Sequence, residues 1–385
     1  METKKPNILL RWLEAHEAEM LRWIRRAVEI ESPSYDKASV DAMGRFLTHE
    51  LARIGGRVKI HKRKAYGDLV QADFAAPHAK QRPVLLLGHH DTVWELGTLK
   101  KMPWHVRDGR IWGPGTLDMK AGLAQVLFAL RALQHNGGLP RPVIVLSVCD
   151  EEIGSHASRE VTESLAKRCA AVLVLEPAQG LKGAVKTARK GVGDYFLRVT
   201  GKAAHAGVDF ASGASAIVEL ARQIQAIAGL TGLRPGLTVN PGMVRGGTRT
   251  NVIAAEAEVG IDIRVARNAD AAFIDRRLRR LRPFNRQCKL EIHGTLNRPP
   301  MERKAAIARL FSQARTLART LDKSWKLEEA STGGGSDGNF TAALGIPTLD
   351  GLGAVGEGAH AAHESALIRE IPRRAALLAA LIAGV

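Results

Sequence analysis

Val84-Leu85-Leu86-Leu87-Gly88-His89-His90-Asp91 is the stretch that decides the fold. Four consecutive apolar residues read as a strand buried on both faces, the pattern of a parallel strand covered by helices. The run ends in two histidines and a carboxylate. Further along, Val143-Ile144-Val145-Leu146 leads to Asp150-Glu151-Glu152, and Ala171-Val172-Leu173-Val174-Leu175 runs into Glu176-Pro177. In open α/β sheets, ligands and catalytic groups collect at the carboxyl ends of the strands. Three such strands, each delivering His or carboxylate to one edge, predict a doubly wound, mostly parallel sheet with a metal site along that edge.

Between the first two strands, Gly113-Pro114-Gly115-Thr116-Leu117-Asp118 precedes an apolar helix over 119–133, closed by Asn136-Gly137-Gly138. Asp118 therefore stands at or just before a helix N-terminus, where free backbone N–H groups favour a carboxylate in any case. Upstream, residues 8–30 repeat apolar positions at helical spacing, and a second helix carrying Val40, Met43, Leu47 and Leu51 stops at Gly55-Gly56. From about Thr187 the pattern becomes β-α-β-β-α-β, the order of a ferredoxin-like domain. Asn297-Arg298-Pro299-Pro300 marks the return to the first domain. The expected organisation is a catalytic domain over 1–187 and 298–385, with a smaller domain inserted over 188–297. The last part holds a helix, the loop Gly333-Gly334-Gly335-Ser336-Asp337, a short strand at Pro347-Thr348-Leu349, and a final helix after Ile371-Pro372.

A chain of 385 residues with 45% hydrophobic and 25% charged content fits a two-domain soluble globular protein. Cys149, Cys169 and Cys288 lack disulfide or metal spacing and suit a reducing compartment. Met1 to Pro6 are followed by only three consecutive apolar residues, Ile8-Leu9-Leu10, before Arg11, so no signal core is expected. No apolar run elsewhere approaches the length of a membrane span, and a cytoplasmic location is the expectation. The basic excess, 56 − 39 = +17, comes without an aromatic platform or a nucleic-acid motif. It suits attraction of acidic substrates better than nucleic-acid binding.

Hydrolysis of an unactivated amide needs an activated water, a general base and positive charge at the oxyanion. A pair of zinc ions supplies the first and the third, and zinc takes neutral His and carboxylate oxygen. The available ligands are His89, Asp118, Glu152, Glu176 and His360, a set that suits two metals if one carboxylate bridges. Asp91 is placed to accept the second ring N–H of His89 and so fix its tautomer. Glu151 and Glu152, as neighbours on an extended chain, point oppositely, so one serves as ligand and the other as free base.

With those residues in view, the chain resembles the dinuclear-zinc metallopeptidases that include glutamate carboxypeptidase, acetylornithine deacetylase and succinyl-diaminopimelate desuccinylase, and is most similar to the bacterial glutamate carboxypeptidase branch. The resemblance rests on His89-His90-Asp91-Thr92-Val93, Gly113-Pro114-Gly115 with Asp118-Met119-Lys120, Asp150-Glu151-Glu152, Glu176-Pro177, Gly201-Lys202-Ala203-Ala204-His205, Gly246-Gly247-Thr248 with Asn251, Gly333 to Asp337, and Gly358-Ala359-His360. It implies His89 and Glu176 on one zinc, Glu152 and His360 on the other, Asp118 bridging, Asp91 orienting His89, and Glu151 as the base. Co2+ or Mn2+ would suit the same ligands. It further implies a homodimer formed through the inserted domain. His205 from a second copy would then stabilise the oxyanion, while Asn251 and Arg264 hold the substrate.

His363 stands where such proteins usually carry an acidic or small polar residue, which leaves two candidate histidines. His360 is the choice, because Gly358-Ala359 before it and Glu364 after it fit the pattern. The expected substrate is a small molecule or short peptide with a free carboxylate, cleaved beside a carboxylate-bearing amino acid. The alternatives are an N-acyl-amino-acid deacylase with the same site and, more remotely, a non-catalytic binding protein on this fold.

Overall fold

The computed structural model describes residues 7–76 and 79–385. Met1 to Pro6, the start of the stretch read as free of a signal core, lie outside the described residues. The chain forms two compact units: one takes in the chain up to Ala188, Arg303–Thr332 and Ser336–Val385, and the other Arg189–Glu302 with Gly333–Gly335.

The first unit is built on a six-stranded sheet in the order Arg57–His61, Leu69–Phe74, Val143–Val148, Val84–His89, Ala171–Val174, Thr348–Leu349. The last four run parallel to one another, and Leu69–Phe74 is antiparallel to both of its neighbours, Arg57–His61 and Val143–Val148. Successive residues of a strand face opposite sides, and here both sides are covered. Leu85, Leu87, Ile144, Leu146, Val172 and Val174 pack in one buried cluster with Leu165 of the helix Arg159–Ala166. Val84, Leu86, Val143, Val145 and Leu173 pack in another with the helices Ala121–His135 and Glu370–Gly384. This two-sided burial explains the uninterrupted apolar runs. Truncating Leu86, fully buried, to Ala would cost about 2–5 kcal/mol.

Two expectations need correction. The single helix over 8–30 is two, Asn7–Ala15 and Glu17–Val28, broken at His16, whose ring stacks on Trp12 and lies 2.6 Å from its carbonyl oxygen. No Gly or Pro marks this break, so periodicity alone passes over it. The final helix, Glu370–Gly384, contains Ile371-Pro372 in its first turn, where proline has no hydrogen bond to lose.

A small four-stranded sheet was not foreseen: Gly356–Glu357, Ser365–Leu367, Arg110–Trp112 and His105–Arg107. Its strands are two or three residues long, too short for an alternation to register. Its first two strands flank the loop that carries His360.

The second unit follows the β-α-β-β-α-β order. Its sheet runs Thr238–Gly246, Glu256–Val265, Gly191–Thr200, Lys289–Arg298, all antiparallel, with the helices Ala216–Ala228 and Asn268–Arg279. Ser215 caps the first helix by accepting from Val218 N. Gly333–Gly335 belongs to this unit, where Arg189 donates to the carbonyls of Gly334 and Gly335. The three cysteines are free and buried. Among the described residues, no helix is long and apolar enough to cross a membrane.

Candidate metal centre

The parallel register sets His89 opposite Val148, and Leu87 opposite Val174. The residues that follow these strands therefore emerge side by side at one edge of the sheet. His89 ends its own strand. Glu176 follows the strand Ala171–Val174, and Glu152 sits on the 3-10 turn Glu151–Ile153. Asp118 lies in the irregular turn 116–120 before the helix Ala121–His135.

Two ligand groups result. His89, Asp118 and Glu176 form one, and Asp118, Glu152 and His360 the other, with the donor atoms of each within 4.8 Å of one another. His89 Nε2 lies 3.2 Å from Asp118 Oδ1 and 3.6 Å from Glu176 Oε1. His360 Nε2 lies 3.4 Å from Asp118 Oδ2 and 3.2 Å from Glu152 Oε2. Asp118 thus gives one oxygen to each group. His363 is exposed and belongs to neither.

The donors fit a cation. Two donors each about 2.1 Å from a tetrahedral ion stand roughly 3.4 Å apart, close to all four separations above. Glu152 Oε1 is buried without a hydrogen-bond partner, which a carboxylate avoids unless something else satisfies it. Proton affinities agree. Burial works against charging His89, yet the Asp118 and Asp91 carboxylates outweigh it and hold its pKa well above the usual imidazole value. Asp118 and Glu152 raise His360 to about 11. Burial, reinforced by the Asp118 charge, raises Glu152. The cluster recruits positive charge that a dication would supply.

Asp91, fully buried, supports this edge. Its backbone carbonyl lies 3.0 Å from His89 Nδ1, nearer than its own carboxylate Oδ1 at 3.5 Å. The His89 ring N–H therefore goes first to the main chain. The Asp91 carboxylate accepts from Ser34 Oγ and from the backbone N–H groups of Glu151 and Glu152. Glu151 and Glu152 are not on an extended chain as expected. On a 3-10 turn, consecutive side chains still diverge, by about 120°, so the two carboxylates aim differently for another reason.

Glu364 was read only as part of a pattern. It is 1% exposed and accepts from Gly115 N, Leu117 N, Asp118 N and Trp94 Nε1. Burial raises its carboxyl above the usual glutamate value, and those donors oppose the rise.

In the second unit, His205 is exposed, and its Nδ1 accepts from Gly207 N and Val208 N at 3.1 and 3.2 Å. The ring proton accordingly sits on Nε2. The His205 segment pairs with that of Asn251 through Ala206 N and the Asn251 carbonyl. Arg264, expected to hold the substrate, is already engaged: Asp262 holds its Nε and Nη2 at 2.9 and 2.7 Å, and its Nη1 donates to the Gly333 carbonyl at 3.4 Å. Residues two apart on a strand share a face, so this pairing follows from the strand itself.

Residues 85–384 match the pattern that defines peptidase family M20/M25/M40. The chain is 30% identical over 389 residues to Carboxypeptidase G2 of Pseudomonas sp. (strain RS-16), covering 98% of this chain and 92% of that one. It is 33% identical over 200 residues to acetylornithine deacetylase of Salmonella arizonae, covering 47% of this chain and 50% of that one. The aminopeptidase PepT of Bacillus cereus superposes with a TM-score of 0.75 at 22% identity, over 96% of this chain and 98% of that one, which speaks to the fold. The chain belongs to peptidase family M20/M25/M40 and is a metal-dependent hydrolase of peptide or amide bonds.

Proposed function

We propose that this chain is a carboxypeptidase-like hydrolase with two zinc ions per subunit, which releases a carboxylate-bearing amino acid such as glutamate from an acyl or peptidyl amide. The observation that carries the reading is the pair of ligand groups sharing Asp118. His89 and Glu176 would hold one ion, Glu152 and His360 the other, and Asp118 both. When bound, such a pair acidifies a water and polarises the scissile carbonyl.

The chain's own residues do the rest. Asp91 keeps the His89 Nδ1 proton on its backbone carbonyl, which turns Nε2 to the site as a neutral donor. Glu151 takes a proton from the attacking water on a carboxylate oxygen and returns it to the leaving nitrogen. His205 of a second copy offers its Nε2–H to the developing oxyanion, which makes the working form a homodimer. Asn251 and Arg264 bind the substrate's free carboxylate. Because Asp262 holds Nε and Nη2 and Nη1 also donates to the Gly333 carbonyl at 3.4 Å, Arg264 would meet that carboxylate through the outer N–H groups of its Nη atoms rather than with a full fork.

A second reading, an N-acyl-amino-acid deacylase, is favoured by the partial likeness to acetylornithine deacetylase. Turnover of N-acyl-glutamates and glutamyl peptides should exceed that of N-acetylated neutral or basic amino acids by the zinc-loaded enzyme. The reverse order would replace the first reading with the second.

A further inference from the structure

We propose that Glu364 is a positioning residue that holds Asp118 in its shared place between the two ligand groups, an inference that rests on the dinuclear reading above. Its carboxylate receives four donors and no acceptor. Oε1 takes Leu117 N at 2.7 Å and Asp118 N at 3.0 Å, and Oε2 takes Gly115 N at 2.9 Å and Trp94 Nε1 at 2.8 Å. Three of these donors are main-chain groups of the very turn that presents Asp118, and one is the N–H of Asp118 itself. A buried carboxylate is costly unless it is fully hydrogen-bonded, and here both oxygens are.

Glu364 also sits at the end of the other ligand's loop. The backbone N of Glu364 bonds to the Ala361 carbonyl, and its own carbonyl accepts from Gly113 N at 3.4 Å. Ser365–Leu367 then pairs with Arg110–Trp112. One side chain therefore joins the loop of His360 to the turn of Asp118, so the distance between these ligands depends on it. Gly115 is equally constrained. Its φ of 69° is left-handed, and a Cβ there would meet Thr92 Cγ2 at 2.8 Å, so the turn as folded needs glycine at the residue whose N–H bonds Glu364 Oε2.

Only an ionised carboxylate offers two oxygens that accept without donating. Gln at 364 has the same shape, but whichever way its amide turns, an NH2 faces two N–H groups, either Leu117 with Asp118 or Gly115 with Trp94. The test is titration of Zn2+ into the metal-free protein by calorimetry, with metal content measured after dialysis. A Co2+-loaded sample reports ligand geometry by its visible spectrum. Because Asp118 is shared, Glu364→Gln is expected to weaken both equivalents by roughly 10–100-fold, the range for outer-shell partners of metal ligands. The Co2+ bands should shift, and kcat should fall with KM within about two-fold.

Unchanged affinities and an unchanged Co2+ spectrum, with only a lowered urea midpoint, would make Glu364 a structural residue and overturn the proposal. If Glu364→Gln does not fold, Trp94→Phe removes one donor and keeps the carboxylate. Several-fold weaker Zn2+ binding at an unaltered melting temperature then supports the proposal, and unchanged binding overturns it. A wild-type chain that takes up no Zn2+ would instead sink the dinuclear reading itself.

Discussion

His89 and His360, far apart in the chain, face the two oxygens of one carboxylate: Nε2 of the first is 3.2 Å from Asp118 Oδ1, and Nε2 of the second is 3.4 Å from Asp118 Oδ2. A group placed in this way cannot be lost from one ion alone. Asp118→Ala should therefore lower zinc content from two per chain toward none and abolish hydrolysis, with the fold retained by circular dichroism. Asp118→Ala with a full second equivalent still bound would mean that the carboxylate is not shared.

Glu151 and Glu152 are neighbours on one 3-10 turn, and both have their backbone N–H groups tied to Asp91, yet they should fail differently. Glu151→Gln should keep two zinc ions and lose about 10²–10⁴-fold in kcat, the usual contribution of a general base. Glu152→Gln should lose one zinc ion. Metal analysis beside kcat separates the two, and equal zinc loss in both variants would count against the division of roles.

His360 and His363 offer a cleaner contrast. His360 Nε2 lies within 3.4 Å of both Asp118 and Glu152, whereas His363 is exposed and outside both groups. His360→Ala should bind one zinc ion and turn over at least about ten-fold more slowly, as befits a ligand whose neighbours alone can cost that much. His363→Ala should bind two and keep kcat within two-fold. The opposite pattern in metal content would reassign the ligand.

These contrasts show what the chain of letters could and could not disclose. His89 and Glu176 were legible because each closes or follows an apolar run, and parallel strands bring such ends together whatever else the fold does. The ferredoxin-like order of the second unit was legible for the same reason: long strands and amphipathic helices carry strong periods. Glu364 was not. Its meaning lies in bonds to Gly115, Leu117 and Asp118, some 250 positions away, and no local pattern encodes them. Its setting, strands of two and three residues, is below the length at which alternation can be counted. The Asp262–Arg264 pair could have been anticipated from spacing, since i and i+2 share a strand face, and the expected substrate clamp passed over it.

The second unit carries its own acid-labile anchor. Glu219, 1% exposed, accepts from Gln223 Nε2, Phe284 N and Asn285 N. Burial disfavours its charge, but these donors prevail and hold the carboxyl below the usual glutamate value. A group whose folded pKa is depressed adds stability that is fully present above the unfolded value, near ~4.3, and disappears as pH falls through the folded one. Urea unfolding followed from pH 7 to pH 3 should therefore show wild-type stability dropping below about pH 4.5 more steeply than that of Glu219→Gln. Glu219→Ala should lose about 1–3 kcal/mol already at pH 7, because the backbone N–H groups of Phe284 and Asn285 are left without their acceptor. Parallel acid profiles for wild type and Glu219→Gln would show that this carboxylate is not what anchors residues 284–285 to the helix Ala216–Ala228.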